Sequence, residues 1–236
     1  MAQELGSTIA SYHLHKLLID LRPEVEIVGP DDNPVERVSK QAAAIFAHEY
    51  IHYLHNFSTV AGYATFEIVQ QLLALFSLTL DERGASGGSK ALGSDQRGLY
   101  LDCLGRLCAL YGDRPRETLT PESMVVASVR EGKERVGEVE VETAWVTWEF
   151  GFGETSKREE LRLGFLALTE GIAIECEHML TTGSLDWAAL PANVPLFPYA
   201  ALRMLRAALA PSASRIDTVK LATLALGFNR VQFPIC

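Results

Sequence analysis

The run His48-Glu49-Tyr50-Ile51-His52 constrains this chain more than any other stretch of its 236 residues. Residues four apart lie on one face of an α-helix, so His48 and His52 can aim imidazole nitrogens at one point. Two imidazoles placed this way are two of the ligands that a zinc ion takes from a protein. Glu49 follows the first histidine directly and falls beside such an ion, where it can accept a proton from a water attacking a carbonyl. The flanks favour the helix this geometry needs. Gln41-Ala42-Ala43-Ala44-Ile45-Phe46-Ala47 are good helix formers, and Tyr53-Leu54-His55-Asn56-Phe57 continue without Gly or Pro. The helix is expected to begin near Val38 or Ser39. A chance match would leave His48 and His52 as ordinary helix histidines; a second acidic and histidine-bearing segment downstream argues for the metal.

A catalytic zinc takes three protein ligands and keeps one open position. The metalloprotease group with an extended helix motif requires a Gly and a His three and six residues after the second ligand. His55 and Ser58 stand there, which excludes that group. His55 is also two turns from His48, about 10 Å along the axis, too far for one ion on a straight helix. It is read as a cleft residue or a satisfied histidine. The downstream segment is Leu168-Thr169-Glu170-Gly171-Ile172-Ala173-Ile174-Glu175-Cys176-Glu177-His178. On a helix, Glu170, Ile174, Glu177 and His178 share a face, whereas Glu175 sits about 140° from Glu170. The small Gly171 and Ala173 would let this helix approach the motif helix closely.

Taken together, the first motif and Thr169-Glu170-Gly171-Ile172-Ala173 resemble the gluzincin group of zinc metallopeptidases. In that group the third ligand is a Glu on a later helix, often within Asn-Glu-Gly-x-Ala; here Thr169 replaces the Asn. The resemblance implies that His48, His52 and Glu170 bind Zn2+, with Glu49 as general base. It covers two short windows, and the long separation between them implies a large insertion. Some members carry an acid four residues after the ligand Glu, orienting a ligand histidine. Ile174 occupies that position here. Glu175 or Glu177 could take over the task of accepting an imidazole N–H; the alternative for both is a solvated acidic face, and Glu175 also stands as the rival third ligand. Such enzymes aim a Tyr, His or Arg at the developing oxyanion. His178, Tyr199, Tyr63 and His55 are the candidates, with His178 and Tyr199 singled out.

Composition fits an enzyme of this kind. At 48% hydrophobic the chain can bury a sizeable core, read as one domain over 1–236 with any subdomain boundary in the loop 81–99. A net charge of −9 without a basic stripe excludes a nucleic-acid role. Cys103, Cys108, Cys176 and Cys236 show no paired ligand spacing and are read as free thiols in a reducing compartment. The N-terminal residues lack a basic start and an apolar run, so a cytoplasmic location without a signal peptide is expected. The apolar stretch 66–80 is interrupted by Glu67, Gln70, Gln71, Ser77 and Thr79 and is read as a buried helix, not a membrane span.

The remaining segments are expected to build around the motif. A short strand is read at 24–28, with His13 and His15 as ordinary histidines before it and a loop at 31–34 after it. Helices are expected at 65–79 and 100–111, the latter with Cys103 and Cys108 in the core, and an exposed loop at 84–98. Strands at 124–130 and 136–150 would be joined by 131–135, with Glu138, Glu140 and Glu142 facing solvent. Trp145 and Trp148 are read as core. The hairpin is taken as an ordinary sheet, with the holding of an extended substrate as its alternative role. A Pro-rich connector at 191–198 precedes helices at 199–209 and 216–226.

The expectation is therefore a mostly helical α+β, zincin-like fold with a small antiparallel sheet or hairpin. Its function would be zinc-dependent hydrolysis of a peptide bond in a protein or peptide substrate, with a partner protein in a larger system conceivable. The alternatives are a catalytically silent metal-binding interaction module and a zinc hydrolase of a non-peptide amide. Glu49 favours an enzyme over the silent module, since metal binding alone does not need it.

Overall fold

The computed structural model describes residues 10–13, 18–21, 40–115, 121–136, 139–187, 190 and 194–227. Two short strands, β1 (Ala10–His13) and β2 (Leu18–Leu21), pair antiparallel. Three helices follow: α1 (Lys40–Ser58), α2 (Val60–Ser77) and α3 (Ser94–Tyr111), with a 3-10 turn at Gly88–Ala91 before the last. A meander of β3 (Ser123–Val136), β4 (Val139–Phe152) and β5 (Thr155–Leu163) forms a three-stranded antiparallel sheet. The described chain closes with α4 (Phe165–Thr182), α5 (Ala201–Leu209) and α6 (Arg215–Gly227). The architecture is α+β and mostly helical, with a small three-stranded antiparallel sheet and a separate two-stranded pair.

One face of the sheet supplies the largest apolar cluster. Val146, Trp148 and Phe150 alternate inward along β4 and pack with Met124, Leu161, Ala167, Ala201 and Leu205. Trp148 is thus core, whereas Trp145 is half-buried on the other face beneath the Arg130 guanidinium, 4.0 Å from its ring centre. A second cluster joins α4, α5 and α6 through Phe165, Ile172, Leu202, Ala222 and Leu226. The third lies between α2 and α3, around Ile68, Cys103 and Leu110.

Several junctions set the helix positions. Thr59 caps α2: its hydroxyl donates to the His55 carbonyl at 2.6 Å and accepts the Gly62 N–H at 3.0 Å. This stitches α1 to α2 across a corner so tight that a Cβ on Gly62 would collide with the His55 backbone. At the end of α3, Gly112 has φ +80° and its missing Cβ leaves space for the Gly164 backbone, 2.6 Å away from where that Cβ would lie. The contact brings Tyr111 and Phe165 together, ring centres 6.1 Å apart.

The structure departs from the sequence expectations at identifiable places. Residues 131–135 do not turn; they continue β3, with Arg130 opposite Trp145 and Gly132 opposite Thr143. A Cβ on Gly132 would lie 3.0 Å from the Trp145 ring, so this glycine makes room for an aromatic neighbour. Strand β5 is additional, its charged residues paired in part across the sheet, as in Arg158 with Glu149 at 2.6 Å. The expected 84–98 loop contains the 3-10 turn and the first residues of α3. Cys108 is exposed, unlike the buried Cys103. Helix α2 is long and apolar enough to cross a membrane by length and composition, and only 22% of that window is buried. It is therefore not the buried helix expected for 66–80: Val60, Tyr63, Leu73 and Phe76 are exposed. The strand read at 24–28, the loop at 31–34, the helix start near Val38 or Ser39, His15 and Cys236 lie outside the described residues, as do the side chains of Glu138 and Glu140.

Candidate metal centre

Helices α1 and α4 pack against each other and carry the polar centre between them. His48 and His52, one turn apart, present Nε2 atoms to the same carboxylate oxygen, Glu170 Oε2, at 3.4 and 3.3 Å. One ligand atom from each of the three lies within 4.8 Å of the others, a spacing that could hold a metal ion. Glu170 Oε2 is buried and has no hydrogen-bond partner of proper geometry. An unpartnered buried carboxylate oxygen facing two imidazole nitrogens fits a cation at their centre. Two nitrogens and one oxygen are also donor types that zinc takes.

The second edge of His48 is held as well. Its Nδ1 lies 2.9 Å from Glu177 Oε2, one of the two acids left open by the sequence. The other acid, Glu175, points away from the centre. It is fully buried and receives Arg203 Nε and Arg215 Nε, the latter at 2.5 Å, tying α4 to α5 and α6. Glu175 is thereby engaged elsewhere as a candidate ligand. Nor does Gly171 face the motif helix. A Cβ there would meet Leu202 Cβ at 2.6 Å, so its small size serves the α4–α5 contact.

Charge within the centre is strongly coupled. Burial disfavours protonated His48, but the carboxylates of Glu170, close to Nε2, and Glu177, bonded to Nδ1, outweigh it and raise its pKa to about 9. For Glu170 burial likewise opposes the charge, and the two imidazoles prevail, lowering it to about 2. Both shifts favour a protonated imidazole against an ionised carboxylate when no metal is bound.

A cavity of about 290 Å³ opens on this centre. Its lining includes His48, Glu49, His52, Glu170 and Tyr199, so the sequence-derived base stands in the same space as the ligand cluster. The Tyr199 ring centre is 6.1 Å from that of His48. Burial, with the nearby carboxylates of Glu170 and Glu49, pushes its phenol up to about 12. His178 is not among the residues lining the cavity; its Nδ1 faces Arg215 Nη2 at 2.8 Å, and burial and the two arginines lower its pKa. Tyr63 is exposed on α2. His55 is buried with Nδ1 unpartnered and does not line the cavity. The cavity also has an aromatic lining that was not legible in the sequence. Tyr12 from β1, Tyr111 from α3 and Phe165 from α4 meet there, with Asn56 as the polar residue from α1. Among the described residues, the strand at the cavity is β1, through Ser11 and Tyr12, and none of the β3–β5 sheet lines it.

Comparisons with protein-family models, with curated proteins and with solved structures found no match to this chain.

Proposed function

We propose that the chain is a zinc-dependent peptidase of the zincin type, hydrolysing a peptide bond in a protein or peptide substrate. The observation that carries the reading is the meeting of His48, His52 and Glu170 beside Glu49 in one cavity, with Glu170 Oε2 left unpartnered. These three side chains would hold the ion. When bound, zinc supplies Lewis-acid polarisation of the scissile carbonyl and lowers the pKa of a coordinated water.

The chain's own groups divide the remaining work. Glu49 lines the cavity and is not a member of the ligand cluster, so its carboxylate is available to take a proton from the attacking water and pass it to the leaving amine. Tyr199 remains protonated at ordinary pH and can donate a hydrogen bond to the developing oxyanion. Glu177 accepts from His48 Nδ1, which fixes the ring and leaves Nε2 as its ligand atom. His178, committed to Arg215, has no comparable access to the reacting atoms.

The test separates base from ligand. Glu49→Gln preserves shape while removing the proton acceptor, so the variant should retain zinc and fold yet lose at least about a hundredfold in peptide cleavage. A peptide mixture digested by the zinc-loaded wild type and variant, read by mass spectrometry, gives the answer. Equal cleavage by the two, or simple amides cut in preference to peptides, would overturn the assignment.

A further inference from the structure

Two phenols line the cavity beside the metal centre. Tyr199 is the proposed oxyanion donor; Tyr111, the last residue of α3, has no part in the chemistry above. Neither hydroxyl makes a hydrogen bond among the described residues, and neither is sealed away as the Tyr12 hydroxyl is. Each can therefore meet a ligand in the cavity. Burial raises both phenols, the Glu170 carboxylate adds to it, and the Arg114 guanidinium lies near enough to both to pull the other way. One arginine thus stands beside two cavity tyrosines that come from different elements.

The chain between Tyr111 and Arg114 is pinned. Gly112 abuts Gly164, the Asp113 N–H donates to the Arg162 carbonyl at 3.1 Å, and the Asp113 carboxylate accepts the Arg162 N–H at 2.9 Å. The Arg162 guanidinium takes the same carboxylate at 2.8 Å, so Asp113 is engaged away from its neighbour. Arg114 is exposed and forms no ion pair among the described residues. A cation is therefore held next to the cavity with its charge unanswered.

A phenol hydroxyl and a guanidinium can both donate, and a guanidinium cannot accept. The group that accepts from both and answers the charge is a carboxylate. A neutral carbonyl would satisfy the phenol alone. The lining, with Glu49 and Glu170, repels anions, so a carboxylate is admitted only where Arg114 stands. A phosphate, with about twice the charge, meets that repulsion more strongly.

We propose that Tyr111 and Arg114 form a carboxylate-recognition site beside the metal centre, selecting substrates with a free C-terminal carboxylate or an Asp or Glu side chain close to the scissile bond. Tyr199, adjacent to the same arginine, keeps its place at the scissile carbonyl. The substrate role rests on the peptidase reading; the carboxylate site itself does not.

The test uses the full chain in two forms. Zinc-free protein is titrated with 3-phenylpropionate and with 3-phenylpropionamide, read by ligand-observed NMR. The carboxylate should bind at least about tenfold more tightly than the amide, and Arg114→Gln should remove that margin. Tyr111→Phe, which keeps the ring and deletes the hydroxyl, should reduce it several-fold. Zinc-loaded protein then digests matched peptides carrying Glu or Gln, with free or amidated C-termini, read by mass spectrometry. Loss of cleavage on amidation assigns the carboxylate to the substrate's end; loss when Gln replaces Glu assigns it to a side chain. Equal binding of the two probes, binding of neither, or a margin unchanged in Arg114→Gln would overturn the site. Cleavage indifferent to every carboxylate would overturn its substrate role and keep the peptidase. No cleavage of any peptide, with the probe margin intact, would remove the peptidase and keep the carboxylate site.

Discussion

Glu170 and Glu177 grip the His48 imidazole from its two ring nitrogens, and this double contact dictates how the centre responds to protons. With its pKa at about 9 in the protein alone, His48 carries a proton at pH 7 that a metal must displace. Zinc uptake near pH 7 should release about one proton from this ring, and apparent affinity should rise with pH until about 9. Calorimetry in buffers of different ionisation heat measures the release. A proton count near zero at pH 7 would place the metal elsewhere. His55, two turns further along α1, behaves in the opposite sense. Burial, reinforced by His52, lowers it from 6.5 to about 4. Its depressed pKa means that the unfolded chain binds the proton first, so stability is complete above 6.5 and falls as the pH drops towards 4. The full loss is on the order of 3 kcal/mol. His55→Phe should flatten that part of the stability profile, and denaturant unfolding between pH 7 and pH 4 checks it. Parallel profiles for the two proteins would mean that His55 is solvated.

At the scale of elements, α4 is the piece that must sit correctly. Glu170 and Glu177 turn to α1, while Glu175, held by Arg203 and Arg215, anchors the opposite side to α5 and α6. Gly171 sets the α4–α5 distance, because its absent Cβ would lie 2.6 Å from Leu202 Cβ. In most helix interiors Gly→Ala stabilises by up to about 1 kcal/mol. Here Gly171→Ala should instead destabilise by about 1–3 kcal/mol through overpacking, measured as a lowered denaturant midpoint; a raised midpoint would show that the contact can relax. The sequence disclosed α1 and α4 readily, since helical spacing and motif residues are local properties. It also brought forward His48, His52, Glu49 and Glu170, which the fold gathers in one cavity. What escaped it depends on distant neighbours. Glu177 could not be told from a solvated acid until His48, 129 positions away, lay against it. Gly132 looked like a turn because the Trp145 ring above it belongs to another strand. Tyr12 and Tyr111 reach the cavity only through the β1 placement and the Gly112–Gly164 crossing.

For the whole molecule, the site is an acidic cleft in an acidic protein. The chain carries −9, and among the described residues the cavity lining holds Glu49 and Glu170 and no lysine or arginine. Such a field concentrates cations and disfavours anions. The centre also bridges the first long helix and a helix late in the chain, so a metal there would bind the folded state and not the unfolded one. Saturation at a hundred times the dissociation constant would add about 2.7 kcal/mol of stability. The zinc content of the purified chain, loaded with metal, desalted and measured by elemental analysis beside Glu170→Ala, tests the account most directly. The expected result is about one zinc per wild-type chain and far less in the variant, which keeps only two imidazoles. A wild type that takes up no zinc, or a Glu170→Ala variant that holds it equally well, would contradict the account.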